Sequence, residues 1–181
     1  NRPRALNGLN LNMVRMLFAG LKQWETLPEI KGVIIKGDGR AFCAGGDIKE
    51  LLGAVENSSA LIKDFFRDEY MLNRQIHLYP KFYIACLDSI VMGGGAGLSI
   101  HGAYRIVTER TVFAMPETGI GFFPDVGASY FLSRLPGETG MFLGLTGTRI
   151  GAGDMVYLGP GTHYVPSEKI GELENALLNC K

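Results

Sequence analysis

Phe42-Cys43-Ala44-Gly45-Gly46-Asp47 is the most informative segment of the sequence, together with a second one, Met92-Gly93-Gly94-Gly95-Ala96-Gly97. Each is a glycine-rich turn that follows a short apolar run and leads into a stretch of helical character. Such turns leave backbone N–H groups unpaired and pointing outward, and no Cβ atom blocks a close approach. If the two turns converge, one N–H from each can bind a single oxygen that gains negative charge. That arrangement is an oxyanion hole.

A third segment, Ala114–Asp125, offers two carboxylates, Glu117 and Asp125, and each of them follows a proline. The residues between them are largely apolar. A carboxylate in apolar surroundings loses solvation, so its pKa rises and it becomes a stronger base. The alternative is that both are loop carboxylates that cap helix ends, with Asp125 capping a helix that begins at Val126.

The composition is that of a globular chain with balanced charge. It has 181 residues, of which 46% are hydrophobic, which is enough for one domain with a core and argues against disorder. Lys plus Arg number 18 and Asp plus Glu number 18, so the net charge gives no reason to expect a nucleic-acid partner. Five basic residues could attract a phosphorylated ligand or could be ordinary solvated surface. They are Arg2, Arg4, Lys31, Lys36 and Arg40.

Neither disulfides nor a metal site is expected from the cysteines and histidines. The cysteines are Cys43, Cys86 and Cys180, an odd set without a C-x-x-C pair, which favours a reducing compartment. The histidines are His77, His101 and His163, which lack the spacing of metal ligands. No apolar run reaches the roughly 18 residues of a membrane helix, so no membrane partner is expected. The start does not resemble a signal peptide, and we expect the native N-terminus to lie earlier.

Strands and helices alternate along the chain. Helices are predicted over residues 10–25, 48–56, 59–78, 94–101, 126–134, 138–145, 152–158 and 167–179. Strands are predicted over residues 32–37, 82–87, 104–108, 112–114 and 163–165. This alternation implies crossover connections and a largely parallel sheet, hence an α/β fold. Ligands in such sheets bind beyond the carboxyl ends of the strands, where both glycine turns are placed.

Three features allow more than one interpretation. The second glycine turn resembles a dinucleotide-binding loop, but its spacing is not G-x-G-x-x-G. Cys43 could be a nucleophile, although small-residue packing is the alternative. Glu69 lies on a predicted helix among Phe65, Phe66 and Met71. It could therefore face a site on an apolar side of the helix or simply face solvent.

The chain resembles a known family through several segments taken in order. These segments are Asn1-Arg2-Pro3 to Ala5-Leu6-Asn7, Gly39 to Asp47, Met92 to Gly95, and Met115-Pro116-Glu117. They resemble the crotonase, or enoyl-CoA hydratase/isomerase, superfamily over nearly the whole chain. Within it, the likeness is strongest to the 3-hydroxyisobutyryl-CoA hydrolases, which act in valine catabolism. The segments of this chain that carry the second likeness are Phe65 to Asn73, Phe113 to Thr118, Phe123 to Gly127, and Gly144 to Gly147.

The resemblance implies a crotonase-like ββα spiral with a mostly parallel sheet and surrounding helices. It implies a single core domain over residues 1–181, truncated at both ends and without the helical region that follows in the family. Acyl-CoA is the implied partner, and coenzyme A is part of this substrate, so no separate cofactor is expected. A homo-oligomer is possible. The implied location is the mitochondrial matrix in a eukaryote and the cytoplasm in a bacterium.

The resemblance also assigns catalytic roles by position. The N–H groups of Gly46 and Gly94 would bind the thioester oxygen. Glu117 would be the catalytic carboxylate, either attacking the acyl carbon or activating water. Asp125 would orient the substrate hydroxyl or the water.

Further residues are implied to bind substrate. Glu69 would line the acyl pocket, together with the catalytic residues just named. Ala44 and its neighbours Gly45 and Asp47 would meet the pantetheine–adenine portion of coenzyme A.

Three functional hypotheses remain: thioester hydrolysis, isomerisation and non-catalytic binding of acyl-CoA. Hydratases carry a second catalytic glutamate where this chain has Gly97, which disfavours hydration by two glutamates. Dienoyl-CoA isomerases share the glutamate and the later aspartate, so isomerisation is the alternative to thioester hydrolysis. A non-catalytic acyl-CoA-binding relative is the third hypothesis.

Overall fold

The computed structural model describes residues 1–57 and 59–180. The α-helices are α1 Leu11–Thr26, α2 Ile48–Asn57, α3 Ser59–His77, α4 Gly94–Ser99, α5 Ala128–Phe131, α6 Thr139–Thr146, α7 Ala152–Leu158 and α8 Ile170–Leu178. The strands are β1 Gly32–Lys36, β2 Ala41–Cys43, β3 Phe82–Leu87, β4 Ile90–Met92, β5 Tyr104–Val107, β6 Val112–Ala114, β7 Ile150–Gly151 and β8 His163–Tyr164. The domain predicted over residues 1–181 also includes Ser58 and Lys181, which lie outside the described residues.

The described strands form two four-stranded sheets. The first has the order β1-β3-β5-β8 and is parallel throughout. The second has the order β2-β4-β6-β7 and is parallel except for the antiparallel pair β6–β7. From β1 to β6, successive strands alternate between the two sheets, so the chain winds in ββα turns. This confirms the predicted α/β spiral with mostly parallel strands, although one sheet was expected where two are present.

Local sequence explains the long helices that cover the sheets. α1 begins after Asn10, whose side-chain oxygen accepts a hydrogen bond from the Met13 amide at 3.0 Å. Its buried side chains, Val14 and Leu21, are two helical turns apart and therefore share the face that packs on α3. α3 buries an apolar face of its own against the same core.

The carboxyl ends of three neighbouring strands bring the sequence motifs together. β2 ends at Cys43, β4 at Met92 and β6 at Ala114, and in the register Cys43 pairs with Val91 and Met92 with Ala114. Because these strands are parallel neighbours, the segments that follow them leave the sheet at one edge. Those segments are the two glycine turns and the segment that carries Glu117.

Sequence patterns misplaced some elements. β2, β4 and β7 were not predicted, because strands of two or three residues are too short for a periodic signal. The helix predicted over residues 126–134 begins too early: Val126 and Gly127 have φ angles of +43° and +82°, outside the helical region. The helix starts at Ala128 and continues from Leu132 as a 3-10 turn.

A substitution at Gly95 tests the close packing of α4 on β2. A Cβ atom on Gly95 would collide with the carbonyl oxygen of Cys43 and lie 3.0 Å from its carbonyl carbon. Because both are backbone atoms, we expect Gly95→Ala to lower the free energy of unfolding by about 1–3 kcal/mol. Urea unfolding measures this change. Gly153 in α7 has no atom within 4 Å of its Cβ position. Gly153→Ala should therefore be neutral or stabilising, and equal losses in both variants would contradict the packing.

Candidate active site

Two backbone amides meet where the turn after β2 passes the start of α4. A Cβ atom on Gly94 would lie 3.3 Å from the Gly46 nitrogen, and one on Gly45 would lie 3.9 Å from the Gly94 nitrogen. Gly94 opens α4, and the first amides of a helix have no partner inside it. Within residues 1–57 and 59–180, neither amide donates to a protein acceptor. The pair is therefore able to bind one anionic oxygen.

Glycine is required where the turns touch. Gly45 and Gly93 have φ angles of +109° and +49°, in the region that favours glycine. A Cβ atom on Gly93 would lie 3.7 Å from the Gly45 Cα atom and only 2.6 Å from Oε1 of Glu117. The contact places the Glu117 carboxylate directly against the second glycine turn.

Glu117 lies at the start of a 3-10 turn, Glu117–Ile120, just beyond β6. Its side chain is buried, and Oε2 has no hydrogen-bond partner among the described residues. Burial raises the pKa of Glu117 to about 7, and the negative charge of Asp125 adds to the rise. The apolar residues between the two acids, Ile120, Phe122 and Phe123, are themselves exposed, although Glu117 is buried as expected. The carboxylate is poised to exchange a proton near neutral pH.

Glu69 is buried in the middle of α3, with 2% of its surface exposed. Its Oε1 has no partner in the described chain and lies 2.7 Å from the Cβ position of Gly94. Burial raises the pKa of Glu69 to about 8, with a further contribution from the negative charges of Asp125 and Glu117. The structure thus places this side chain beside the amide pair rather than in solvent.

Asp125 completes the group of carboxylates. Its Oδ2 accepts a 2.7 Å hydrogen bond from the Tyr70 hydroxyl. Burial raises the pKa of Asp125, although the Tyr70 bond opposes that shift. The capping alternative is wrong, because α5 has Gly127 as its N-cap and no side-chain cap. The sequence did not lead us to predict a role for Tyr70. Its position directly after Glu69 on α3 could have indicated that it lies near the site.

The residues predicted to meet coenzyme A lie in the first turn, where Ala44 and Gly45 precede Gly46. The Ala44 amide donates to the Leu6 carbonyl at 3.1 Å. The Asp47 carboxylate pairs with Arg2 at 2.8 Å and also accepts the Glu50 amide, so it caps α2. Asp47 is therefore held by internal contacts.

Other candidate groups lie outside this chemistry. Cys43 is buried, and burial raises the pKa of its thiol to about 12, so it packs in the core rather than acting as a nucleophile. Among the residues that the structure describes, no three metal-binding side chains come together. Over the same residues, no helix combines the length and apolar character needed to span a membrane.

The chain belongs to the enoyl-CoA hydratase/isomerase family, whose profile matches residues 1–181. It is 54% identical to the mitochondrial 3-hydroxyisobutyryl-CoA hydrolase of Xenopus tropicalis, covering all of this chain and 47% of the relative. It is 51% identical to the human mitochondrial 3-hydroxyisobutyryl-CoA hydrolase, again covering all of this chain and 47% of the relative. The chain therefore spans about half the length of these relatives. Both predicted resemblances, to the superfamily and to its 3-hydroxyisobutyryl-CoA hydrolases, are confirmed.

Solved structures support the fold and the family. An enoyl-CoA hydratase from Rhodobacter sphaeroides is 44% identical, with a TM-score of 0.94, and the match covers 97% of this chain and 53% of that one. A carnitinyl-CoA dehydratase from Mycobacterium thermoresistibile is 44% identical, with a TM-score of 0.95, and the match covers 98% of this chain and 52% of that one.

Burial of Glu69 predicts a pH-dependent stability. Its pKa rises from an ordinary 4.5 to about 8 on folding, so the folded protein holds a proton that the unfolded chain releases between these values. The free energy of unfolding should therefore fall as pH rises from 5 to 8. In Glu69→Gln, the free energy of unfolding should decrease less steeply with pH, by at most about 1.4 kcal/mol per pH unit. Urea unfolding across that range measures the slope. The exposed Glu29 supplies the control, Glu29→Gln, and equal slopes in both variants would contradict the burial.

Proposed function

We propose that this chain carries the active site of a hydrolase that converts 3-hydroxyisobutyryl-CoA and water to 3-hydroxyisobutyrate and coenzyme A. The observation that carries the proposal is the unpaired amide pair of Gly46 and Gly94 with the Glu117 carboxylate against the same glycine turns. The names of the relatives support the choice of acyl group. Hydrolase activity, substrate and roles of these residues are all part of the proposal.

Thioester hydrolysis breaks the bond between the acyl carbon and sulfur. As the carbon is attacked, its oxygen gains negative charge, which the Gly46 and Gly94 amides stabilise. Glu117 either attacks the carbon itself or takes a proton from the attacking water. In the second route, the proton passes to the departing thiolate, which leaves as the free thiol of coenzyme A. In the first route, the thiolate of coenzyme A leaves as the acyl group forms an anhydride with Glu117. Water then hydrolyses the anhydride, which regenerates Glu117 and supplies the proton that converts the thiolate to the free thiol.

The energies are sufficient for useful catalysis. Loss of one oxyanion-hole donor typically costs about 2.7–4 kcal/mol of transition-state stabilisation. A placed general base contributes roughly 10²–10⁴-fold in rate. Asp125, fixed by Tyr70, orients the water or the substrate hydroxyl, and Glu69 lines the acyl pocket beside Gly94.

Coenzyme A enters this proposal as part of the substrate. Ala44, Gly45 and Asp47 belong to the turn that its pantetheine–adenine portion passes. Of the five basic residues, Arg2 and Lys36 form ion pairs, and Lys31 donates to a backbone carbonyl. Arg4 and Arg40 are exposed and form no ion pair within the described residues, which leaves them for the phosphates of coenzyme A.

Location and assembly are also proposals. The mitochondrial names of the relatives support the mitochondrial matrix if the source is a eukaryote, and the cytoplasm is the bacterial counterpart. Exposed Met141, Phe142 and Leu145 on α6 support a homo-oligomer, because large apolar side chains grouped on one surface favour association.

An isomerase is the second candidate, because burial and the nearby charges of Asp125 and Glu117 together raise the pKa of Glu69, so the three carboxyl groups lie close to one another. Adjacent carboxyl groups can move protons along an acyl chain without breaking the thioester. Incubation of an unsaturated acyl-CoA in heavy water separates the candidates. Release of free thiol supports the hydrolase, whereas deuterium in an intact thioester supports the isomerase. Tight binding without either reaction would support the non-catalytic alternative.

Glu117→Gln is the direct test of the catalytic carboxylate. The amide keeps the shape of the side chain but cannot accept a proton or attack the acyl carbon. We expect turnover of 3-hydroxyisobutyryl-CoA, followed as free thiol, to fall roughly 10²–10⁴-fold while coenzyme A affinity changes little. Glu29→Gln should hydrolyse at the wild-type rate. Near-normal turnover by Glu117→Gln would remove the role given to this residue.

The raised pKa of Glu117 predicts the shape of the pH–rate profile. Its carboxyl must be ionised to act as base or nucleophile, so kcat/KM should rise with pH and level off above about 7. Stopped assays from pH 5 to 9 on the wild-type enzyme provide the profile. If kcat/KM already reaches its plateau near pH 5, the catalytic carboxyl group has an ordinary pKa and is exposed to solvent, which would contradict the role given to Glu117.

A further inference from the structure

Unpaired polar atoms are concentrated along one side of α4. In the described part of the chain, the buried side-chain atoms without a hydrogen-bond partner are Glu69 Oε1, Asn73 Nδ2, Asn73 Oδ1, Tyr79 Oη and Glu117 Oε2. All but the Tyr79 hydroxyl belong to side chains that touch α4 or the glycine before it. Buried polar groups are normally paired, so such a cluster marks a place that a polar ligand or water fills.

Asn73 is the member of this cluster that the proposed hydrolysis leaves without a role. It is 5% exposed, and both the oxygen and the nitrogen of its carboxamide lack a partner among the described residues. Its Nδ2 lies 2.7 Å from the Cβ position of Gly97. Because Gly97 has no side chain, the Asn73 amide occupies space beside α4 that a side chain would otherwise fill.

Asn73 and Glu69 face α4 at successive helical turns. They are four residues apart on α3, so their side chains lie on the same face. Glu69 meets Gly94 and Asn73 meets Gly97, one turn further along α4. Three residues of helix cover about 4.5 Å, so the Asn73 amide lies about that far beyond the end of α4 that binds the thioester oxygen.

We propose that the Asn73 carboxamide binds the hydroxyl group of a 3-hydroxyacyl chain and so sets the preference for hydroxylated substrates. This inference rests on the proposed function. The hydroxyl oxygen of such a chain is three bonds from the thioester carbon, which extended cover about 4 Å, matching the step from Gly94 to Gly97. A carboxamide has an acceptor oxygen and a donor nitrogen, so a hydroxyl can donate to the first and accept from the second.

A cavity of about 260 Å³ lies beside Asn73. Its lining includes Tyr70, Arg74, His77 and His101. Tyr70 also donates its hydroxyl to Asp125, which links this cavity to the carboxylates. Val126 also meets Gly97, with its Cβ atom 2.8 Å from the Gly97 Cβ position, so Asn73 and Val126 both pack against this glycine.

Binding of two substrate analogues tests the assignment without turnover. The probes are ketone analogues of 3-hydroxyisobutyryl-CoA and isobutyryl-CoA, in which a methylene replaces the thioester sulfur. We expect calorimetry to show that the wild-type protein prefers the hydroxylated analogue by roughly tenfold or more. In Asn73→Leu this preference should drop to within about threefold, through weaker binding of the hydroxylated analogue alone.

Two further variants keep the result interpretable. Asn73→Ala introduces a smaller side chain and is needed because leucine could crowd Val126. It should lose the preference for the hydroxylated analogue in the same way. Tyr79→Phe removes an unpaired buried hydroxyl that touches none of the α4 glycines, and it should keep the wild-type preference. Equal weakening of both analogues in the Asn73 variants, an unchanged preference, or no preference in the wild type would each overturn the proposal. Thiol release from the true thioester separately tests the hydrolase function, so the two can fail independently.

Discussion

The contact between two glycine turns is the constraint on which the structure depends. Gly95 of α4 lies directly against the carbonyl group of Cys43, with no room for a Cβ atom between them. This approach sets α4 against the end of β2 and thereby places the Gly94 amide beside that of Gly46. Any side chain at these positions would separate the two elements. The same absence of side chains that permits the packing therefore leaves the two amides open to a ligand.

The site concentrates buried acidic groups around those amides. Burial raises the pKa of Glu69, Glu117 and Asp125, and the charge of Asp125 raises the pKa of both glutamates further. Within the described residues, none of the three forms an ion pair with a lysine or arginine. Such a group destabilises the protein when it is fully ionised, and the surrounding apolar core offsets that cost. The arrangement favours shared protons near neutral pH, because ionisation of one carboxyl group raises the cost of ionising its neighbours.

Much of this was predictable from sequence, because glycine turns, proline-linked carboxylates and helical periodicity are local signals. They identified the long helices, both turns and the acid at position 117. The features that could not be predicted depend on contacts between residues far apart in the chain. The short strands β2 and β4 carry no periodic signal, yet their pairing is what brings the motifs together. The Tyr70–Asp125 bond and the tie between Arg2 and Asp47 join residues far apart in the chain, so composition and spacing could not predict them.

The central claim is that two amides from distant segments bind one oxygen. A crystal structure of the protein with a ketone analogue of 3-hydroxyisobutyryl-CoA tests it most directly. We expect the ketone oxygen to lie about 2.7–3.1 Å from both the Gly46 and the Gly94 nitrogen atoms. An oxygen that contacts neither amide, or only one while the other points away, would contradict it.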